Sequence, residues 1–137
     1  MRNFSLYVVF LAAIIGGCQR HPSGDNPPSL NLSEIKPLSA QDLTLKKKGA
    51  LSGNLEDIHD VSLYYLSSDQ KDAVQEAGKW AMIGVRAGDC RSIEFITDIH
   101  FEFNYGIDRK KLLDLIDKYN CSHAKMSARW WVNHKMD

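Results

Sequence analysis

Residues 45–54, LKKKGALSGN, can be laid on residues 80–89, WAMIGVRAGD, at an offset of 35 positions, with Leu45 on Trp80. Gly49 then falls on Gly84, Ala50 on Val85, Gly53 on Gly88 and Asn54 on Asp89. An apolar segment follows each copy, LEDIHDVSLYYL from Leu55 and CRSIEFITDIHF from Cys90. The second has Ile93 and Ile96 where the first has Ile58 and Val61. Self-similarity at a fixed period of this size marks stacked supersecondary units, each unable to bury its apolar face alone. Each copy reads as a helix hairpin. Ala50 and Gly84 are small enough to let two helices approach, while Gly53 and Gly88 end the first helix in a left-handed cap, a conformation that costs glycine nothing. Asn54 or Asp89 then stands where a short polar side chain caps the free amides of the next helix.

Downstream, NYG at residues 104–106 reads as a turn, and IDRKKLLDLIDKYN carries Leu112, Leu115, Ile116 and Tyr119 at i, i+3, i+4 and i+7. That spacing lays an apolar stripe along one helix face, so the segment is expected to pack as a closing helix. The tail KMSARWWVNHKMD has no equally clear period. Its adjacent Trp130 and Trp131 would point about 100° apart on a helix of 3.6 residues per turn. They cannot both face one core, so one is expected to pack while the other stays available to a partner.

A large apolar residue, three residues, a small pair, two residues, Gly, then Asn or Asp resembles the tetratricopeptide superfamily, in particular its Sel-one-like branch. The resemblance covers roughly residues 39–103. The chain departs from the pattern in two places: no small residue is evident inside the second helix of each unit, and the loop SSDQKD from Ser67 lacks the usual glycines. A helical bundle without repeats accounts for the same helices. The expectation is an all-α fold: a short stack of antiparallel helix hairpins, about two repeats plus a C-terminal closing helix, preceded by a disordered tether.

The N-terminus is of a different kind. One cation, Arg2, precedes an uncharged, mostly apolar run from Phe4 to Gly17, 14 residues long, where a spanning helix needs about 20. Basic start, short apolar run and small residues at a cut point are the parts of a secretory signal. Ile15-Gly16-Gly17-Cys18 resembles the lipobox of bacterial lipoproteins. The resemblance implies cleavage before Cys18 and palmitate-type acylation of that cysteine, and Gln19 in place of Asp implies the outer membrane, facing the periplasm. Two or more acyl chains hold stably where one binds marginally. The organisation expected is a signal peptide over 1–17, a lipidated Cys18 with a Pro-rich tether over 18–38, and a helical domain over 39–137. All four prolines lie in that tether, and proline extends such segments to as much as about 3.1 Å per residue.

Composition narrows the function. Without residues 1–17 the chain keeps 120 of its 137 residues, enough for one domain with a core. Loss of Arg2 turns 17 cations into 16 against 17 anions. Neutrality argues against a nucleic-acid binder, which carries a basic imbalance. A local excess remains in residues 109–137, where Arg109, Lys110, Lys111, Lys118, Lys125, Arg129 and Lys135 face Asp114, Asp117 and Asp137. It reads as a solvated face or as one that meets an acidic partner or lipid headgroups.

Cys90 and Cys121 are the only other cysteines, and export leads to an oxidising compartment where pairing is the default. Cys90 begins one helix, the chain reverses near residue 105, and Cys121 ends the return helix. Both therefore arrive at one end of a hairpin, and a disulfide is expected. The five histidines, His21, His59, His100, His123 and His134, lack the paired short spacings of structural zinc. His100, between Ile99 and Phe101, reads as a partly buried, hydrogen-bonded residue. There is no Gly-x-Ser-x-Gly elbow, phosphate-binding glycine loop or His-Glu-x-x-His. Glu56, Asp57 and Asp60 sit where a helix N-terminus favours acids. Neither an enzyme nor a resident cofactor is expected beyond the lipid on Cys18.

The expected role is a lipid-anchored, periplasm-facing protein-binding module, with Tyr64, Tyr65, Trp130 and Trp131 as candidate anchors to a partner. Core packing is the competing account of the two tyrosines. Small Sel-one-like lipoproteins include immunity proteins against secreted antibacterial effectors, so the resemblance implies that role as one concrete reading. An envelope scaffold or adaptor is the alternative, and a small periplasmic hydrolase a more distant one.

Overall fold

The computed structural model describes residues 30, 32, 35 and 37–134; the signal peptide and Cys18 lie outside the described residues. Six helices follow in order: α1 (Ala40–Leu51), α2 (Leu55–Leu66), α3 (Ala73–Arg86), α4 (Cys90–Phe103), α5 (Arg109–Tyr119) and α6 (Ser122–His134). The described fold is all-helical, as the pattern predicts.

The aligned residues of the two copies do the same work. Gly53 and Gly88 have φ of 89° and 77°, left-handed backbone that side chains with a Cβ rarely adopt. The Gly53 amide donates to Ala50 O and the Gly88 amide to Val85 O, each at 3.0 Å. The Asn54 amide donates to Gly49 O and the Asp89 amide to Gly84 O, also at 3.0 Å. These bonds satisfy carbonyls that a helix end leaves open. The side chains of Asn54 and Asp89 then accept from the Asp57 amide at 3.2 Å and the Ser92 amide at 2.8 Å. Gly84 is buried against α4, where a Cβ would run into Ser92.

The two hairpins stack in register. Glu56 and Arg91 occupy equivalent positions of the two copies, 35 residues apart, and Arg91 Nη1 donates to both Glu56 oxygens at 3.0 Å. Ile58, Val61, Ile93, Phe95, Ile96 and Ile99 are all buried. Leu112 and Ile116 of α5 join them, with Leu115 and Tyr119 packed alongside, so the apolar stripe of α5 faces the core as expected. Leu30 and Leu32, inside the segment read as a tether, also pack against this core.

The end of the chain differs from the sequence expectation in one respect. The tail forms a sixth helix, and α6 lies along α4. Glu94 approaches His123 and Asp98 meets Ser127; both pairs are 29 residues apart, so the two helices run parallel. The closing unit is thus a hairpin, α5 and α6, and not one helix. Cys90 and Cys121 form the expected disulfide with Cα atoms 5.2 Å apart. Cys121 sits in the short turn between α5 and α6, just beyond the left-handed Asn120, so the bridge ties that turn to the first residue of α4.

Candidate protein-binding surface

The aromatic residues fall into two clusters. In the first, Tyr64 and Tyr65 of α2 meet edge to face at 5.5 Å, both part-buried. Lys47 of α1 reaches over the Tyr65 ring at 5.1 Å and over the Trp80 ring of α3 at 5.8 Å. Three helices thereby present one cation and three rings, and an ammonium held over aromatic faces is attracted by their quadrupoles. Tyr65 also packs on the core, in keeping with the packing account of that residue. Trp80 is absent from the sequence-derived anchors although the repeat marks it: its equivalent, Leu45, is 61% exposed, whereas Trp80 is part-buried.

The second cluster lies between α4, α5 and α6. Trp131 is 5% exposed and stacks on Phe101 at 6.2 Å, with the Arg109 guanidinium 6.0 Å from the Phe101 ring. As a buried residue Trp131 belongs to the core and offers no surface to a partner. Trp130 is part-buried; it meets Trp131 edge-on at 4.9 Å and stacks with His134 at 4.3 Å. Its Nε1 is buried with no hydrogen-bond partner among the described residues. The adjacent tryptophans thus divide into one that packs and one that reaches the surface.

The α4/α6 junction holds a group that sequence reading passed over. Asp98 is 6% exposed and accepts from Ser127 Oγ at 2.5 Å. Burial pushes its carboxyl up to about 7, with Glu94 and Glu102 adding to the rise and the Ser127 hydrogen bond opposing it. A signal was present in the i, i+4, i+8 series Glu94, Asp98, Glu102. It reads equally well as a solvated stripe, and burial of Asp98 depends on α6.

The other polar residues are mostly engaged structurally. Lys46 bridges Asp57 at 2.7 Å and Asp60 at 2.9 Å, and its hydrogen bonds to these carboxylates hold its ammonium well above the usual lysine range. With Glu56 on Arg91, each of the three acids at the start of α2 has a cation. His100 Nδ1 lies 2.7 Å from Tyr105 O, part-buried as expected. His59 meets Phe95 edge-on at 6.2 Å, and burial lowers its pKa, with nearby Arg91 contributing. His123 stands 3.9 Å from Glu94. Among the described residues no three His, Cys, Asp or Glu side chains gather as metal ligands would, and no helix is long and apolar enough to cross a membrane.

One groove opens on the outer side of the last hairpin. It encloses about 210 Å³, and every residue lining it comes from α5 or α6, among them Leu113, Ile116, Lys125, Ala128, Arg129 and Val132.

No family model, curated protein or solved structure matches this chain. The lipobox and Sel-one-like likenesses therefore stand on the motif residues themselves. What the chain can do rests on its own geometry: a part-buried aromatic group under Lys47, the edge of a second at Trp130, and an apolar groove, carried on a short stack closed by a disulfide.

Proposed function

We propose that the chain is a protein-binding module, held at the periplasmic face of the outer membrane by lipid on Cys18, and that it acts as an immunity protein neutralising a secreted antibacterial effector. The observation that carries the binding reading is the Lys47, Tyr65 and Trp80 group. Part-buried aromatics fixed by three helices give a partner large, rigid contact area, the kind of residue that dominates binding energy at interfaces. Stacked helix hairpins are scaffolds suited to such contacts. The immunity role and the lipid anchor come from the motif likenesses alone.

The test is affinity capture from envelope extract with the full-length lipoprotein, compared with Tyr65→Ala and Trp80→Ala variants shown to fold by circular dichroism. One stoichiometric partner lost in both variants supports the reading. Capture of nothing by the parent protein defeats it. Deletion of the gene should also leave cells sensitive to attack by siblings; a resident envelope protein as the partner, with no such sensitivity, would favour the scaffold alternative. Radiolabelled palmitate should enter the parent protein and not Cys18→Ala.

A further inference from the structure

Along the stack, each exposed hairpin face is covered by the next unit, so the last hairpin presents a face that nothing among the described residues covers. Its groove is lined by the apolar Leu113, Ile116, Ala128 and Val132 and by the polar Asp117, Lys125, Arg129 and Asn133. At about 210 Å³ it is smaller than the usual small-molecule pocket of about 300–1,000 Å³. A mostly apolar space between two helices instead suits the ridge of side chains along a third, the way helices pack on one another. The sign of what enters follows from which lining charge is left over once Asp117 is paired. Lys125 is already bridged to Asp117 at 2.9 Å, whereas no carboxylate bridges Arg129 among the described residues. The surrounding hairpin is basic: between Asp108 and His134, Arg109, Lys110, Lys111, Lys118, Lys125 and Arg129 outnumber Asp108, Asp114 and Asp117. Between residues 40 and 107 the balance reverses, with seven cations to eleven anions. Two copies meeting through this face would set like charge against like, which disfavours self-pairing.

We infer that the α5/α6 groove is the seat for an amphipathic helix of the partner protein, whose aliphatic ridge meets the apolar lining and whose carboxylate, beside that ridge, pairs with Arg129. The inference rests on the binding-module reading above and specifies the partner's chemistry. It follows the helix-in-groove mode, in which apolar anchors at i, i+3, i+4 and i+7 supply contact area and flanking charge supplies selectivity.

The experiment uses the full-length detergent-solubilised protein and, as probe, a fluorescent synthetic helix of about three turns bearing leucines at that spacing and one flanking Glu, with a Lys version as control. Fluorescence anisotropy should show the Glu peptide binding roughly tenfold more tightly than the Lys peptide, the size of one interfacial ion pair. Arg129→Glu should reverse that order, and Leu113→Asp should abolish both. Failure of the Glu peptide to bind, or an order unchanged in Arg129→Glu, overturns the proposal. So does a Leu113→Asp-sensitive self-association in sedimentation, which would make a second copy the occupant, or Leu113→Asp-sensitive binding to phosphatidylglycerol vesicles without peptide binding, which would make this a membrane face. If affinity capture of the natural partner survives both variants, the groove proposal fails while the binding-module reading stands; capture of nothing by the parent protein sinks that reading instead.

Discussion

The α1/α2 and α3/α4 turns close with the same hydrogen bonds at aligned residues, glycine in the left-handed position and a polar cap after it. The α5/α6 turn closes with the same pair of bonds, Asn120 amide to Asp117 O at 3.2 Å and Cys121 amide to Ile116 O at 3.1 Å, but with Asn120 at φ 52° in place of glycine and with the Cys90–Cys121 bridge added from outside. The first two turns are written in adjacent residues, so each carries its own instructions. The third adds to its own local bonds a covalent tie to a residue 31 positions away. The helix junctions divide likewise: α3 and α4 approach through Gly84 against Ser92, whereas α4 and α6 meet through a buried Asp98–Ser127 pair beside a covalent tie.

The sharpest way to break this contrast is to cut the bridge. Cys90→Ser with Cys121→Ser should cost as much as about 3–4 kcal/mol on the chain-entropy account of a loop this size, read as a lowered denaturation midpoint. Hydrogen exchange should rise first in α5 and α6; equal loosening of α1 and α2 would erase the distinction between the regions. Next come the two glycines. Gly53→Ala meets open space and bears only the left-handed backbone cost of about 1–2 kcal/mol. Gly88→Ala adds a collision with the Tyr119 ring of α5 and should cost about 1–3 kcal/mol more. Equal midpoints for the two variants would mean that α5 yields freely.

Asp98 gives the α4/α6 junction a pH dependence of its own. Its carboxyl is raised from 3.8 to about 7, so between about pH 4 and pH 7 the folded chain holds a proton that the unfolded chain has released. Its contribution is therefore fully present below about pH 4 and is lost as pH rises to about 7, with a slope of at most about 1.4 kcal/mol per pH unit. Asp98→Asn should remove this fall from the profile of chemical denaturation between about pH 4 and pH 7 and leave α1 and α2 protection unchanged. The smallest effect is expected at the exposed Glu56–Arg91 bridge between the repeats. Removing it should cost about 0.2–1 kcal/mol in a double-mutant cycle, confirming that burial, and not surface charge, holds the stack.

The repeat made the first four helices legible because each of its signals acts over a few residues: Gly53 and Gly88 stop a helix, Asn54 and Asp89 start one, and Ile58, Val61, Ile93 and Ile96 mark the inner face. Cys90 and Cys121 were paired from the same elements, by counting which ends meet. The tail was harder. The segment containing Trp130 and Trp131 buries Ala124, Ser127, Ala128 and Trp131, which stand at i, i+3, i+4 and i+7, but alanine and serine are too weakly apolar for that spacing to stand out as a stripe. The repeat marks Trp80 as a position but not as surface, because its place beside Lys47 exists only once α1 and α3 are docked.

By itself, then, the amino-acid order determined the first five helices, the caps at Asn54 and Asp89 and the two matching turns, because capping bonds and apolar periodicity are complete within about two turns of chain. Only the tertiary structure decided that α6 runs parallel to α4, that Trp131 enters the core while Trp130 stays at its edge, and that Asp98 is buried. Each of these depends on how closely segments some 30 residues apart approach, and burial is a property of that approach and of no single segment.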